Sequence, residues 1–214
     1  GIRNILCLSG DHACFGPSPM CKPDQSDMDA VQVLWMLRRM RDDGVYLDCR
    51  EIKQRPQWFL GAAASPFGAP PKYEAIRAEK KINAGAQFIQ TQPIFDYAHF
   101  TEWLEALDKR NLLGKAYILP GLIPLKSANA AHFMANDVPG VVVPQRVLDR
   151  MDAAGDDKQA QQEAGVAIAL EIIEKLRATP GIAGMHIMAV HWEEIVPRLV
   201  EEAGLPRPVS AVEF

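Results

Sequence analysis

The chain has no GxGxxG after a strand pattern, no GxxxxGK[ST] and no GxSxG. Those absences remove the usual supports for a dinucleotide-fold dehydrogenase, a phosphate-loop kinase and an α/β-hydrolase. No apolar run approaches the roughly 20 residues that span a bilayer. No charged segment followed by an apolar one and a small-residue cleavage site opens the chain. Positive charge is not in excess: 23 Lys and Arg stand against 27 Asp and Glu, for a net −4. Neither nucleic acid nor anionic lipid is therefore an expected partner. Cysteine is scarce, at four residues: Cys7, Cys14, Cys21 and Cys49. Cys14 and Cys21 share a loop with His12, but their six-residue gap fits none of the tight zinc knuckles. No metal is expected, and free thiols in a reducing, cytoplasmic setting are. The opening GIRNILCLSG reads as a helix-to-strand junction and not as a natural amino terminus, so a truncated chain is expected.

What the chain has is alternation. With 214 residues and 48% apolar composition it can bury a sizeable core as one domain, or two small ones. Strand patterns occupy Asn4–Leu8, Trp58–Ala64, Gln87–Thr91, Ala116–Leu119 and Met185–Ala189. Helices are expected from a cap at Ser26 or Asp27 through Arg41, over 72–83 with Gly85 as terminator, and after Asp96. Others follow near Ser127, over 145–154, 157–178 and 193–203. Apolar stripes mark their inner faces, such as Phe100, Trp103, Leu104 and Leu107, or Val166, Leu170, Ile173 and Leu176. Five strand–helix units of this kind imply a parallel sheet with right-handed crossovers. Small strand cores such as GAAAS suit the crowded interior of a closed (β/α) barrel. Eight units close such a barrel and five are present, so an open doubly wound sheet is the alternative on pattern alone.

Polar residues at the carboxyl ends of these strands are the candidate ligand groups. Asp11 ends the first strand before a Gly- and Pro-containing loop. A carboxylate there acts as a base, a cation stabiliser or a cofactor ligand, or else simply caps a turn. Gln92 follows Thr91 at the mouth of the third strand. Its amide offers two donors and an acceptor, suited to a planar heterocycle, though an amide bridging strands is the plain alternative. Asp96 reads as a helix cap. The helix over 72–83 carries Lys72, Glu74, Arg77, Glu79, Lys80 and Lys81, mostly a solvated face with Glu74 and Arg77 paired at i,i+3. One of its cations near the mouth can hold a phosphate. Schiff-base chemistry at Lys81 is a further alternative, set against its position on a helix. His186 and His191 flank the last strand beside Trp192, Glu193 and Glu194, in no recognised metal spacing.

Several blocks in order carry a resemblance: NILCLSGD, AAASP, KKINAGAQFIQTQPIFD, PGLIPL and GMHIMAVHWEEIVPRLVEEAGL. Along nearly the whole chain they resemble the methylenetetrahydrofolate reductases, flavin enzymes of one-carbon metabolism. The last block is similar to the branch found with acetogen-type partner subunits. The resemblance implies a (β/α)8 TIM barrel, with this chain of 1–214, as a single domain, supplying strands four to eight and the amino-terminal units absent. It implies a flavin, FAD with FMN as the alternative, that passes a hydride to methylenetetrahydrofolate. NADH, NADPH or a redox partner subunit would supply the electrons. Carried over by position, Asp11 would stabilise the cationic iminium of the opening imidazolidine ring. Gln92 would hydrogen-bond the pterin. Ser9, Gly10, Asp11, Ala63, Ser65 and Lys81 match flavin-lining positions, with Lys81 suited to the phosphate.

Three departures accompany it. The strand with the family's general-acid glutamate is not in this chain, so the portion alone is expected to be inactive or impaired. Ser65 stands where the common branch has an aromatic after AA, and Trp192 where that branch has an arginine for the folate tail. A reading from another class is a non-catalytic barrel subunit whose bare sheet edges dock a further chain, giving a homo- or hetero-oligomer.

Overall fold

Among the described residues, five parallel strands pair side by side in the order in which they occur in the chain. The computed structural model describes residues 1–9, 27–68 and 70–206. Its strands are β1 (Asn4–Cys7), β2 (Phe59–Ala64), β3 (Phe88–Pro93), β4 (Tyr117–Leu122) and β5 (His186–Ile187). The sheet order is β1-β2-β3-β4-β5, every pair parallel. A doubly wound sheet reverses direction at a switch point. This one never does among the described residues, so the open doubly wound alternative gives way to a singly wound, curled half-barrel.

The helices are α1 (Ala30–Asp42), α2 (Pro71–Ala84), α3 (Tyr97–Asp108), α4 (Ala128–Asn136), α5 (Gln145–Asp152), α6 (Lys158–Arg177) and α7 (Val196–Glu202). A 3-10 turn, Glu193–Ile195, precedes α7. None is long and apolar enough to cross a membrane. Pleating sends alternate residues to opposite faces, and the register aligns Cys7, Ala62, Ile89 and Ile118 across the sheet. That face is buried under the helices, with Leu34, Phe100, Trp103, Leu107, Ile173 and Leu176 against it. The other face is open: Leu6, Leu8 and Tyr117 are exposed. There Phe59 stacks on Phe88 with ring centroids 5.4 Å apart and meets Tyr117 at 6.0 Å.

Most expected elements form, with three differences. The cap of α1 is Asp29 and not Asp27, while Ser26 lies outside the described residues. The Asp29 carboxylate accepts from Gln32 N–H at 2.8 Å while the Gln32 side chain accepts from Asp29 N–H at 2.8 Å. That reciprocal box satisfies two orphan donors at once, which a lone serine cannot. β3 and β4 run two and three residues past their expected ends, through Pro93 and Pro120. β5 shrinks to His186–Ile187, although Met188 N–H still donates to Leu122 O at 2.8 Å.

Arg41 ties the amino-terminal end of the sheet together. It donates to Trp58 O at 3.2 Å and to the Gln87 side-chain oxygen, which also accepts from Leu60 N–H. Arg41→Met is expected to lower stability by about 2 kcal/mol, the range of charged hydrogen bonds. Urea unfolding measures it, and ligand binding at the opposite end should be untouched. An unchanged unfolding midpoint would count against the tie.

Candidate active site

Ligands of singly wound β/α folds gather at the carboxyl ends of the strands. On β2 that end is Ala63, Ala64 and Ser65. Lys81 reaches it from α2: its ammonium donates to the Ala63 carbonyl at 2.6 Å. Helical side chains lean toward the helix amino terminus, and α2 begins at the mouth, which lets a residue late in α2 reach upward.

Around this cation the chain brings several groups together. Ser9 Oγ accepts from Ala30 N–H at 3.1 Å, pinning the start of α1 to the end of β1. Asp29, beside it, and Glu74, on α2, both favour the charged lysine electrostatically. Burial, the largest influence, together with the nearby Arg77 charge outweighs them and pushes the Lys81 pKa below its ordinary value of 10.5. No carboxylate lies within ion-pair distance of Lys81 among the described residues. A half-buried ammonium with one neutral acceptor keeps two further donors for an anion. Glu74 is itself buried, at 9% exposure, and paired to Arg77 at 3.1 Å. The expected i,i+3 pair therefore forms, but its carboxylate lies inside the fold and not on a solvated face.

Gln92 is exposed at the end of β3, free to face a ligand. Ser65 is half-buried and lies near the α4–α5 connection, 3.5 Å from where a Cβ on Gly140 would sit. Asp96 caps α3 as expected, its carboxylate accepting from His99 N–H at 3.3 Å. Gly10 and Asp11 lie outside the described residues, as do His12, Cys14 and Cys21. Among the described residues no group of three or more His, Cys, Asp and Glu could hold a metal.

After β5, His191 is exposed and its carbonyl accepts from Lys126 Nζ at 2.9 Å. Trp192 is only 4% exposed and belongs to the core. It therefore offers no surface side chain where the common reductase pattern has an arginine. Two further residues at this end escaped the sequence reading. Lys126 carries no motif that distinguishes it. Nothing in the sequence marks Thr91 beyond its place before Gln92, yet it is one of two buried polar side chains among the described residues.

Comparison with known proteins fits this geometry. The family model for methylenetetrahydrofolate reductase matches residues 1–204. The chain is 29% identical over 209 residues to methylenetetrahydrofolate reductase 1 of Schizosaccharomyces pombe, covering 96% of this chain and 32% of that protein. It is 22% identical over 205 residues to 5,10-methylenetetrahydrofolate reductase of Buchnera aphidicola, covering 96% and 63%. The chain thus spans about a third of the first of these relatives and under two thirds of the second. A solved structure from Clostridium thermocellum, an uncharacterized protein that binds two copies of 5-methyl-5,6,7,8-tetrahydrofolic acid, shares the fold. It has a TM-score of 0.55 and 18% identity, over 94% of this chain and 69% of that one. With the family model matched across all but the last ten residues, the chain belongs to the methylenetetrahydrofolate reductase family.

Proposed function

We propose that this chain carries the flavin and pterin site of a reductase that converts 5,10-methylenetetrahydrofolate to 5-methyltetrahydrofolate. The observation that carries the reading is Lys81: a half-buried cation at the carboxyl end of β2, hydrogen-bonded to a neutral carbonyl and lacking an ion-pair partner among the described residues. Such a group fits a flavin phosphate, which supplies the anion the cation lacks. Ser9, Gly10, Ala63 and Ser65 line the same cofactor. When bound, the flavin supplies a hydride. FAD is the form proposed, with NAD(P)H or a redox partner subunit as the electron source.

The chain's own residues hold and polarise the substrate. Gln92 presents its amide to the pterin edge, accepting and donating in one plane. Asp11, which lies outside the described residues, is assigned by its match to the family the role of stabilising the positive charge of the carbon that becomes iminium. β1 to β5 are strands four to eight of an eight-stranded barrel, and residues 1–214 act as one domain. The single winding and the open face of Leu6, Leu8 and Tyr117 support that placement. A parallel sheet is normally covered on both faces. An oligomer that covers this face and the β1 and β5 edges is part of the same proposal.

The test is the visible spectrum of the purified protein before and after adding FAD or FMN. A bound-flavin band that bleaches on adding 5-methyltetrahydrofolate is the expected result. A colourless protein that takes up neither flavin would overturn the assignment to this chain.

A further inference from the structure

We propose that Thr91 is a positioning residue for Gln92, holding its backbone so that the amide points at the substrate. This rests on the reading of Gln92 as the pterin ligand. The argument begins with a mismatch between β3 and β4. Gln90 pairs with Leu119 and Pro93 with Gly121, so β3 takes three steps where β4 takes two. The extra residue is a β-bulge, and bulges beside active sites re-aim side chains.

A bulge interrupts the ladder and leaves backbone groups without strand partners, a cost that rises with burial. Here the Thr91 hydroxyl fills the gap. It accepts from Gly121 N–H at 3.1 Å and donates to the Gln92 carbonyl at 2.7 Å. Thr91 is only 4% exposed; its bond with Gly121 N–H is buried and its bond to the Gln92 carbonyl is partly buried. A threonine hydroxyl has a single donor, and Thr91 commits it to the residue whose side chain faces the mouth.

Two further contacts leave the bulge little room. Ile94 N–H donates to Gly121 O at 2.9 Å, closing the ladder again above the bulge. Gly121 lies so close that a Cβ there would be 2.6 Å from Thr91 O and 3.0 Å from Gln92 O. The backbone at Gln92 is thus clamped by β4 on one side and by the Thr91 hydroxyl on the other. A glutamine with a free backbone would spread its amide over many directions. This one starts from a fixed Cα, which lowers the entropy lost on binding.

The experiment measures 5-methyltetrahydrofolate affinity of the flavin-loaded protein for Thr91→Val, Thr91→Ser, Gln92→Ala and the Thr91→Val/Gln92→Ala pair. Thr91→Val keeps the shape and removes the hydroxyl. It is expected to weaken substrate binding roughly tenfold, the scale of one hydrogen bond, with flavin affinity unchanged. Thr91→Ser should restore binding to within about twofold, since it keeps the donor and acceptor. In the Gln92→Ala background, Thr91→Val should add almost nothing, because residues acting through one another are not additive. Thr91→Cys, a weak donor of similar size, replaces Thr91→Val if the valine protein does not fold, and should fall between wild type and Gln92→Ala.

Unchanged affinity in Thr91→Val, or an equal loss in both backgrounds, overturns the inference and leaves the role of Gln92 standing. Unchanged affinity in Gln92→Ala overturns the pterin role of Gln92 and the inference together.

Discussion

Gly165→Ala lowers the thermal midpoint by roughly 6–12 °C, corresponding to about 3 kcal/mol in a chain of this size. Propensity alone predicts the opposite sign, since alanine is about 1 kcal/mol better than glycine inside a helix. Gly165 lies within α6, and a Cβ built on it would come 1.8 Å from the Leu125 carbonyl oxygen. That oxygen is backbone, so no rotamer change relieves the clash. Leu125 itself is 1% exposed and lies just past the end of β4 at Leu122, which leaves α6 to move away from the sheet. Overpacking of a close-packed interior typically costs about 1–3 kcal/mol, and a clash of the new Cβ with a backbone carbonyl belongs at the upper end. Differential scanning calorimetry measures the shift. A raised midpoint would show that α6 does not approach Leu125 so closely, and that propensity governs the site.

Lys81→Met weakens flavin binding roughly 10- to 100-fold, the range of a charge-assisted hydrogen bond, while the flavin-free protein keeps its stability. The two effects diverge for one reason. Burial disfavours the charged ammonium, which is a cost to the free protein and an asset once an anion arrives. The pH dependence has a definite sign. Burial holds the folded pKa below the ordinary 10.5, so between those two values the unfolded chain binds more protons. Stability contributed by this group therefore rises with pH across that alkaline window, and Lys81→Met removes the slope. Flavin titration by fluorescence quenching, with thermal melts of the flavin-free protein from pH 8 to 11, reads both. Unaltered flavin affinity would remove Lys81 as the phosphate ligand. A large drop in the flavin-free melting point would make it a structural residue.

The local patterns were easily read. Phe100, Trp103, Leu104 and Leu107 fall on one face of α3 at helical spacing, and all four are buried. Val166, Ile173 and Leu176 likewise mark the inner face of α6, with Leu170 at its margin. Cys7 proves to be the small buried hydrophobe its apolar strand suggested. These succeed because a helix or strand repeats over a few residues, and solvent exclusion selects one side of that repeat. The order of the units was legible too, since alternating strands and helices permit few topologies.

Other features required partners distant in sequence. Asp29 as the cap of α1 was within reach, because the D-x-x-Q spacing is a local signature. The β3 bulge was not, since it exists only as a count of residues against β4, some 30 positions away. Nor could the charge pattern of α2 show that Glu74 is buried while Lys80 stays exposed, or that Lys81 bends over the sheet to Ala63. The choice between single and double winding also waited on strand order. By itself the sequence determined the family, the elements and which faces are apolar, all of which depend on short-range periodicity and ordered motifs. Tertiary structure alone decided which polar groups lose water and which find a partner. Desolvation and hydrogen bonding depend on what the remainder of the chain places within a few ångströms, and the spacing along the chain does not encode that.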